Sequence, residues 1–304
     1  MSTRCPVTYY PVATQRQFQL NRERIQGKPY AHYFDGDLWL HEDVLPALRA
    51  PMHVHDALSP EQINSLLDPG YQPVENGYCE LPDGTAYVAS LVPMPGCTGE
   101  MYKWWFWWHS VESARYTLWY PHNHVSVEPR SRAVLTQPGL PHEQRYVGTT
   151  HHVSEYIGPH FLRVAIRFVD PSELGLDASR FERAGIVAHA CARVGVLGTG
   201  VEGVSMVHLA RQTERGIEQR SRYWIGHNPR FRNLGLLDAI PLDAFASRFG
   251  LKRKQAGERV AYEQLLHDQI EFTHLSTFLP ALYREFSGDA LGAEHVQAVP
   301  KPVH

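Results

Sequence analysis

His267 and Glu271 stand four residues apart in the stretch Glu258-Arg-Val-Ala-Tyr-Glu-Gln-Leu-Leu-His-Asp-Gln-Ile-Glu-Phe-Thr-His-Leu-Ser-Thr-Phe-Leu279. A neutral imidazole and a carboxylate at that interval project from one face of a helix, which is a way to hold a divalent metal. Spacing alone equally describes a solvated surface pair. The same interval separates His124 from Glu128 and His151 from Glu155, but there the composition predicts strand or loop, where it means little. Period-2 alternation adds two residues. Glu155 shares a face with Val153 and Ile157, and His208 shares one with Val204, Met206 and Ala210. An inward Glu is costly unless paired, and a metal would remove most of that cost. The four residues point to one polar site inside an apolar cavity.

A rival site starts from His122-Asn-His124, Glu128 and Gly139-x-x-His142. This resembles half of the metal site of a cupin, a closed β-fold that supports metal-dependent oxygenases. It departs from that pattern: no Gly precedes His122 at the usual distance, the Pro-x-Gly is missing, and Tyr146 stands where an Asn belongs.

The elements that must position these residues are a sheet and a long helix. Leu265, Leu266, Ile270, Leu275, Phe278 and Leu279 recur at helical spacing, so residues 258–279 are expected to form one helix of roughly 30 Å. Strands are expected at Arg115–Tyr120, Val153–Ile157, Phe161–Val169, Gly185–Val194, Gly203–Gln212 and Gln219–Trp224. No helical crossovers fit between them, so the sheet is antiparallel. Gly77 to Val92 is a hairpin about Pro82-Asp-Gly84. Gly99 to His109 is a helix aromatic almost all round and therefore buried, either as plain core or as the wall of an aromatic ligand site. Ser59-Pro-Glu-Gln predicts a capping box and a short helix to Leu67, Asp170-Pro-Ser-Glu173 a brief turn, and Pro241–Phe249 a short helix. Residues 1–50 show little periodicity.

Composition bounds the rest. The chain has 304 residues, 43% hydrophobic and 20% charged, with a net charge of -3, as expected of a globular protein that binds neither nucleic acid nor an anionic membrane. It has no apolar signal core and no run long enough to span a bilayer. Cys5, Cys79, Cys97 and Cys191 form no Cys-x-x-Cys pair and suit a cytoplasmic location.

Arg115-Tyr-Thr-Leu-Trp-Tyr-Pro-His-Asn-His124, then Glu155, then His208 with Tyr223, then His267-Asp-Gln-Ile-Glu271, resembles the 2,4-diacetylphloroglucinol hydrolase and phloretin hydrolase family in order and spacing. The resemblance runs from about Met94 to Phe278. It implies an α+β helix-grip (START-like) fold, a curved antiparallel sheet around the long C-terminal helix. Residues 1–110 would form a partly helical extension, 111–288 the catalytic domain and 289–304 a loose tail. It also implies a homodimer, and Zn2+ held by His124, Glu155, His267 and Glu271. The implied activity is hydrolysis of the carbon–carbon bond between an acyl group and a polyhydroxylated aromatic ring, on a small phenolic ketone. Tyr116 and Tyr223 would hold phenolic oxygens and His208 would relay a proton. Val127 and Arg132 occupy substrate-recognition positions where the family has an Asn and an acidic residue, which leaves the preferred substrate open. A helix-grip protein without turnover, carrying aromatic ligands, is the other alternative.

Overall fold

The computed structural model describes residues 3–232 and 257–288. A short ladder joins β1 (Arg4–Pro6) to β2 (Trp39–His41). Nine strands form the main sheet: β3 (Gly77–Glu80), β4 (Ala86–Pro95), β5 (His124–Pro129), β6 (Thr150–Ile157), β7 (His160–Phe168), β8 (Ile186–His189), β9 (Ala192–Val196), β10 (Val201–Thr213) and β11 (Gly216–Phe231). Their order is β3-β4-β11-β10-β9-β7-β6-β5, with β8 also on β10. All pairings are antiparallel. The α-helices among the described residues are α1 (Val12–Ile25), α2 (Gly99–Trp108), α3 (Ser113–Tyr116), α4 (Arg132–Leu135), α5 (His142–Tyr146), α6 (Phe181–Ala184) and α7 (Gly257–Phe286).

α7 packs on β3, β4, β6 and β11, while on its other side Leu38, Leu40, Val44 and Tyr120 cluster with its Ile270. Sheet, N-terminal cover and gripped helix together make the helix-grip arrangement. Among the described residues α7 is at the centre of the packing, unlike the peripheral helix and closed barrel of the cupin reading. No helix among the described residues is long and apolar enough to cross a membrane.

The hairpin at residues 77–92 forms as expected, and its turn closes with the Gly84 N–H donating to the Leu81 carbonyl at 2.8 Å. β4 then pairs with β11, so residues 77–95, grouped by sequence with the N-terminal extension, belong to the main sheet. The β10–β11 turn depends on Gly216, at φ 144°; a Cβ there would lie 2.7 Å from the Met94 carbonyl. Every aromatic side chain of α2 is buried, with Trp104 and Trp105 at 1% and 0% exposure. At about 25 cal/mol per Å2, each such indole contributes on the order of 4–6 kcal/mol of gross transfer free energy, an upper bound.

Several expectations change. Residues 115–120 are the end of α3 and two turns rather than a strand; Tyr116, Leu118 and Tyr120 are nevertheless all buried. The expected strand Gly185–Val194 is split at Ala190–Cys191, where Ala190 N–H bonds the His208 carbonyl and Val169 N–H the Cys191 carbonyl. Residues 60–67 form a 3-10 helix, and the Ser59 side chain makes no capping bond to it. α7 continues through Pro280 to Phe286. The proline forfeits one ladder bond, offset by Leu279 and Leu282, both fully buried, and by Tyr283 and Phe286 against Trp104 and Trp108. α1 was not foreseen because its buried face is polar: Thr14, Gln17 and Asn21 precede Ile25 there. Pro241–Phe249 and the tail 289–304 lie outside the described residues.

Candidate active site

Three elements bring the site together. β5 opens with His124, β6 presents Glu155 directly across from it, and α7 supplies His267 and Glu271 from one face. Among the described residues, His124, His267 and Glu271 are buried with donor atoms all within 4.8 Å of one another. His124 Nε2 lies 3.3 Å from Glu271 Oε2 and 3.8 Å from Glu155 Oε2; His267 Nε2 lies 3.6 Å from Glu271 Oε2. Glu155 stands at the edge of this group, tied by the Tyr116 hydroxyl, which donates to its Oε2 at 2.5 Å.

The site's chemistry suits a cation. His124 Nδ1–H donates to the Tyr116 carbonyl at 3.2 Å, so Nε2 carries the lone pair. That nitrogen is buried, has no hydrogen-bond partner and faces two carboxylates. Burial, then His267, holds the His124 ring well below its ordinary protonation range. Burial, then Asp268 and Glu155, pushes the Glu271 carboxyl well above its own. A divalent metal would turn these opposed lone pairs into ligands, with two carboxylate charges against two of the ion.

The His124 backbone is anchored from outside the sheet. Asn21 of α1 donates from Nδ2 to the carbonyls of Pro121 at 2.8 Å and His124 at 2.7 Å. His122, of the rival reading, faces away: its ring stacks between Tyr10 and Phe18, 3.8 and 4.5 Å from their centroids, and it bonds the Gly36 carbonyl. Glu128 is exposed.

Beside this His–Glu cluster lies a chain of polar side chains from β4, β10, β11 and α7. The Asp268 carboxylate accepts the Tyr223 hydroxyl proton at 2.7 Å and that of Ser90 at 2.5 Å. With its proton committed, the Tyr223 oxygen can only accept from His208 Nε2, 3.3 Å away. His208 is then the Nε2–H tautomer, with Nδ1 accepting from Gln219 Nε2 at 2.7 Å. Burial alone holds His208 down to about 3, hence neutral. Burial, then Asp268, keeps the Tyr223 hydroxyl protonated, as burial and Glu155 keep that of Tyr116.

A cavity of about 170 Å3 connects these groups, lined by Tyr116, Glu155, His208, Tyr223, His267 and Glu271 and by apolar side chains including Val127. The structure thus brings together the sequence-selected residues except Arg132, which is exposed at the start of α4 and does not line the cavity. Sequence reasoning missed Asp268, Ser90, Gln219 and Asn21. Strand alternation could have found Gln219, two pleats from Tyr223 on the same face. Nothing local marked Asn21.

The family model described as the DAPG hydrolase PhiG domain matches residues 58–284. A 2,4-diacetylphloroglucinol hydrolase of Pseudomonas protegens is 37% identical over 289 residues, covering 94% of this chain and 93% of that protein. A phloretin hydrolase of Eubacterium ramulus is 32% identical over 213 residues, covering 69% of this chain and 71% of that protein. The crystal structure of Ara h 8.0201 aligns at 14% identity over 60% of this chain and 97% of its own, with a TM-score of 0.28; the fold assignment rests on the strand order instead. With the family model covering most of the chain and the relatives aligned nearly end to end, this protein belongs to the 2,4-diacetylphloroglucinol hydrolase family.

Proposed function

We propose that this chain hydrolyses the carbon–carbon bond between an acyl group and a polyhydroxylated aromatic ring, releasing a carboxylic acid and the deacylated phenol. Zinc would be held by His124, Glu155, His267 and Glu271. The observation that carries the reading is the buried, unpartnered His124 Nε2 facing Glu155 and Glu271 beside a largely apolar cavity. A bound zinc ion supplies a Lewis acid for the acyl carbonyl and a water of lowered pKa.

The chain's own residues do the rest. Tyr116 and Tyr223 hold the phenolic oxygens that flank the acyl group. An ortho hydroxyl lets the ring take a keto form, so the bond's electrons move into the ring when water's oxygen attacks the acyl carbon. The departing ring carbon then needs a proton, and His208, with Nε2–H directed at Tyr223, is placed to relay it. Val127 presents an apolar surface where the family has an Asn, which suits a substrate other than diacetylphloroglucinol. Assembly as a homodimer belongs to the same reading, and light scattering tests it.

Zinc-loaded protein incubated with acylated resorcinols and phloroglucinols of short and long chain is expected to release equal amounts of carboxylic acid and phenol. Ketones without an ortho or para hydroxyl should survive. Binding with no turnover of any phenolic ketone would overturn the enzyme reading and leave a carrier of aromatic ligands.

A further inference from the structure

Two buried histidines of the cavity wall, His109 and His151, take no part in the chemistry above. Each has one ring nitrogen committed to the protein. His109 Nδ1 lies 2.6 Å from the Trp105 carbonyl, which can only accept, so Nδ1 carries the proton and Nε2 the lone pair. The Thr149 hydroxyl donates to the Tyr146 carbonyl at 2.6 Å, so its oxygen accepts from His151 Nε2 at 3.0 Å. That leaves the lone pair of His151 on Nδ1.

His151 shares the inward face of β6 with Val153 and Glu155, two pleats beyond Glu155. His109 lies beside Tyr116, ring centroids 5.6 Å apart. Phe106 packs on His109 and on Phe168, and Phe168 on His151, so the two histidines share one end of the cavity, walled by aromatic rings. Burial holds both imidazoles neutral, His109 down to about 4 and His151 to about 3. Two neutral rings therefore each offer an acceptor on the cavity wall.

We propose that His109 Nε2 and His151 Nδ1 form a subsite for a hydroxyl of the substrate remote from the scissile bond, such as the ring hydroxyl para to the acyl group. The inference rests on the phenolic-ketone reading. If Tyr116 and Tyr223 hold the oxygens beside the acyl group, the opposite edge of the ring points to this end. The single proton of a hydroxyl there pairs with one of these two lone pairs, whereas an ether, a ketone oxygen or a carboxylate meets only acceptors.

Equilibrium binding of phloroglucinol and of its monomethyl ether to the zinc-loaded protein tests this without requiring turnover. Phloroglucinol is expected to bind about 10-fold or more tightly than the ether, and His151→Leu to erase most of that preference. A second arm needs no variant: wild-type protein should cleave a ketone with a para hydroxyl about 10-fold or more faster, in kcat/KM, than the same ketone carrying a para methoxy group. Equal binding of the two phenols, or equal cleavage of the two ketones, overturns the subsite. Cleavage of no ketone, with the binding preference intact, would instead remove the hydrolase reading and keep the subsite.

Discussion

Tyr116 lies flat against His124, ring centroids 3.9 Å apart and planes 6° from parallel, while its hydroxyl holds Glu155 and its carbonyl holds His124 Nδ1. One residue thus orients two proposed ligands from two strands. Tyr116→Phe keeps the stack and the carbonyl but frees Glu155. Outer partners of metal ligands are commonly worth 10–100-fold, so metal affinity should fall by about 10-fold and kcat/KM by at least as much. Competition against a chromogenic chelator reads the affinity, and an unchanged value would show that Glu155 does not depend on this bond.

Metal content separates the proposed ligands from the rival histidine. His267→Ala and Glu271→Gln should leave protein purified without added metal nearly empty. His122→Ala should stay loaded, since that ring is stacked between Tyr10 and Phe18. Elemental analysis giving the reverse pattern would mean that the wrong histidines have been chosen. Iron or manganese in place of zinc would keep the site and change its chemistry.

His208 should affect turnover more than binding. His208→Gln retains polarity but cannot carry a proton between two nitrogens. We expect kcat to fall by about 10²–10⁴-fold with metal content unchanged, the usual range for a lost acid–base group. A rise in KM alone would reduce His208 to a binding residue.

Asn21 is expected to matter although it touches neither metal nor substrate. Asn21→Leu leaves the carbonyls of Pro121 and His124 buried without their donor. Each unsatisfied group costs about 1–3 kcal/mol, so denaturant midpoints should drop clearly and metal affinity with them. Full stability in the variant would show that α1 is a passive cover.

Acid should destabilise the fold well above the carboxylate range. Burial holds His109 and His274 down to about 4, and His151 and His208 to about 3, against an ordinary value of 6.5. These folded values lie below the unfolded one, so the unfolded chain takes up protons first as pH falls. Their contribution is complete above 6.5 and is lost progressively as pH falls from there toward 3. Each costs about 1.4 kcal/mol per pH unit in that window. Urea midpoints at pH 7.5, 6 and 5 should fall steeply, and a flat profile would contradict the neutral, buried assignment.

The sequence by itself determined the long helix with His267 and Glu271 on one face, because an uninterrupted apolar period leaves that stretch few alternatives. It also determined which way Glu155 and His208 point, since a strand with one buried face has only one register that buries its apolar side chains. What only the tertiary structure decided was how distant pieces meet. Residues 115–120 look like a strand because they are aromatic, yet they end α3 and turn, and the last residue of that helix, Tyr116, stacks on His124. Arg132 matches a recognition position by count but lies exposed at the first residue of α4, outside the cavity lining. α1 escaped the apolar pattern because its inner face exists to satisfy carbonyls a hundred residues away. Hydrophobic periodicity reports burial in oil-like surroundings; it is silent where a buried side chain is chosen for the hydrogen bonds it completes.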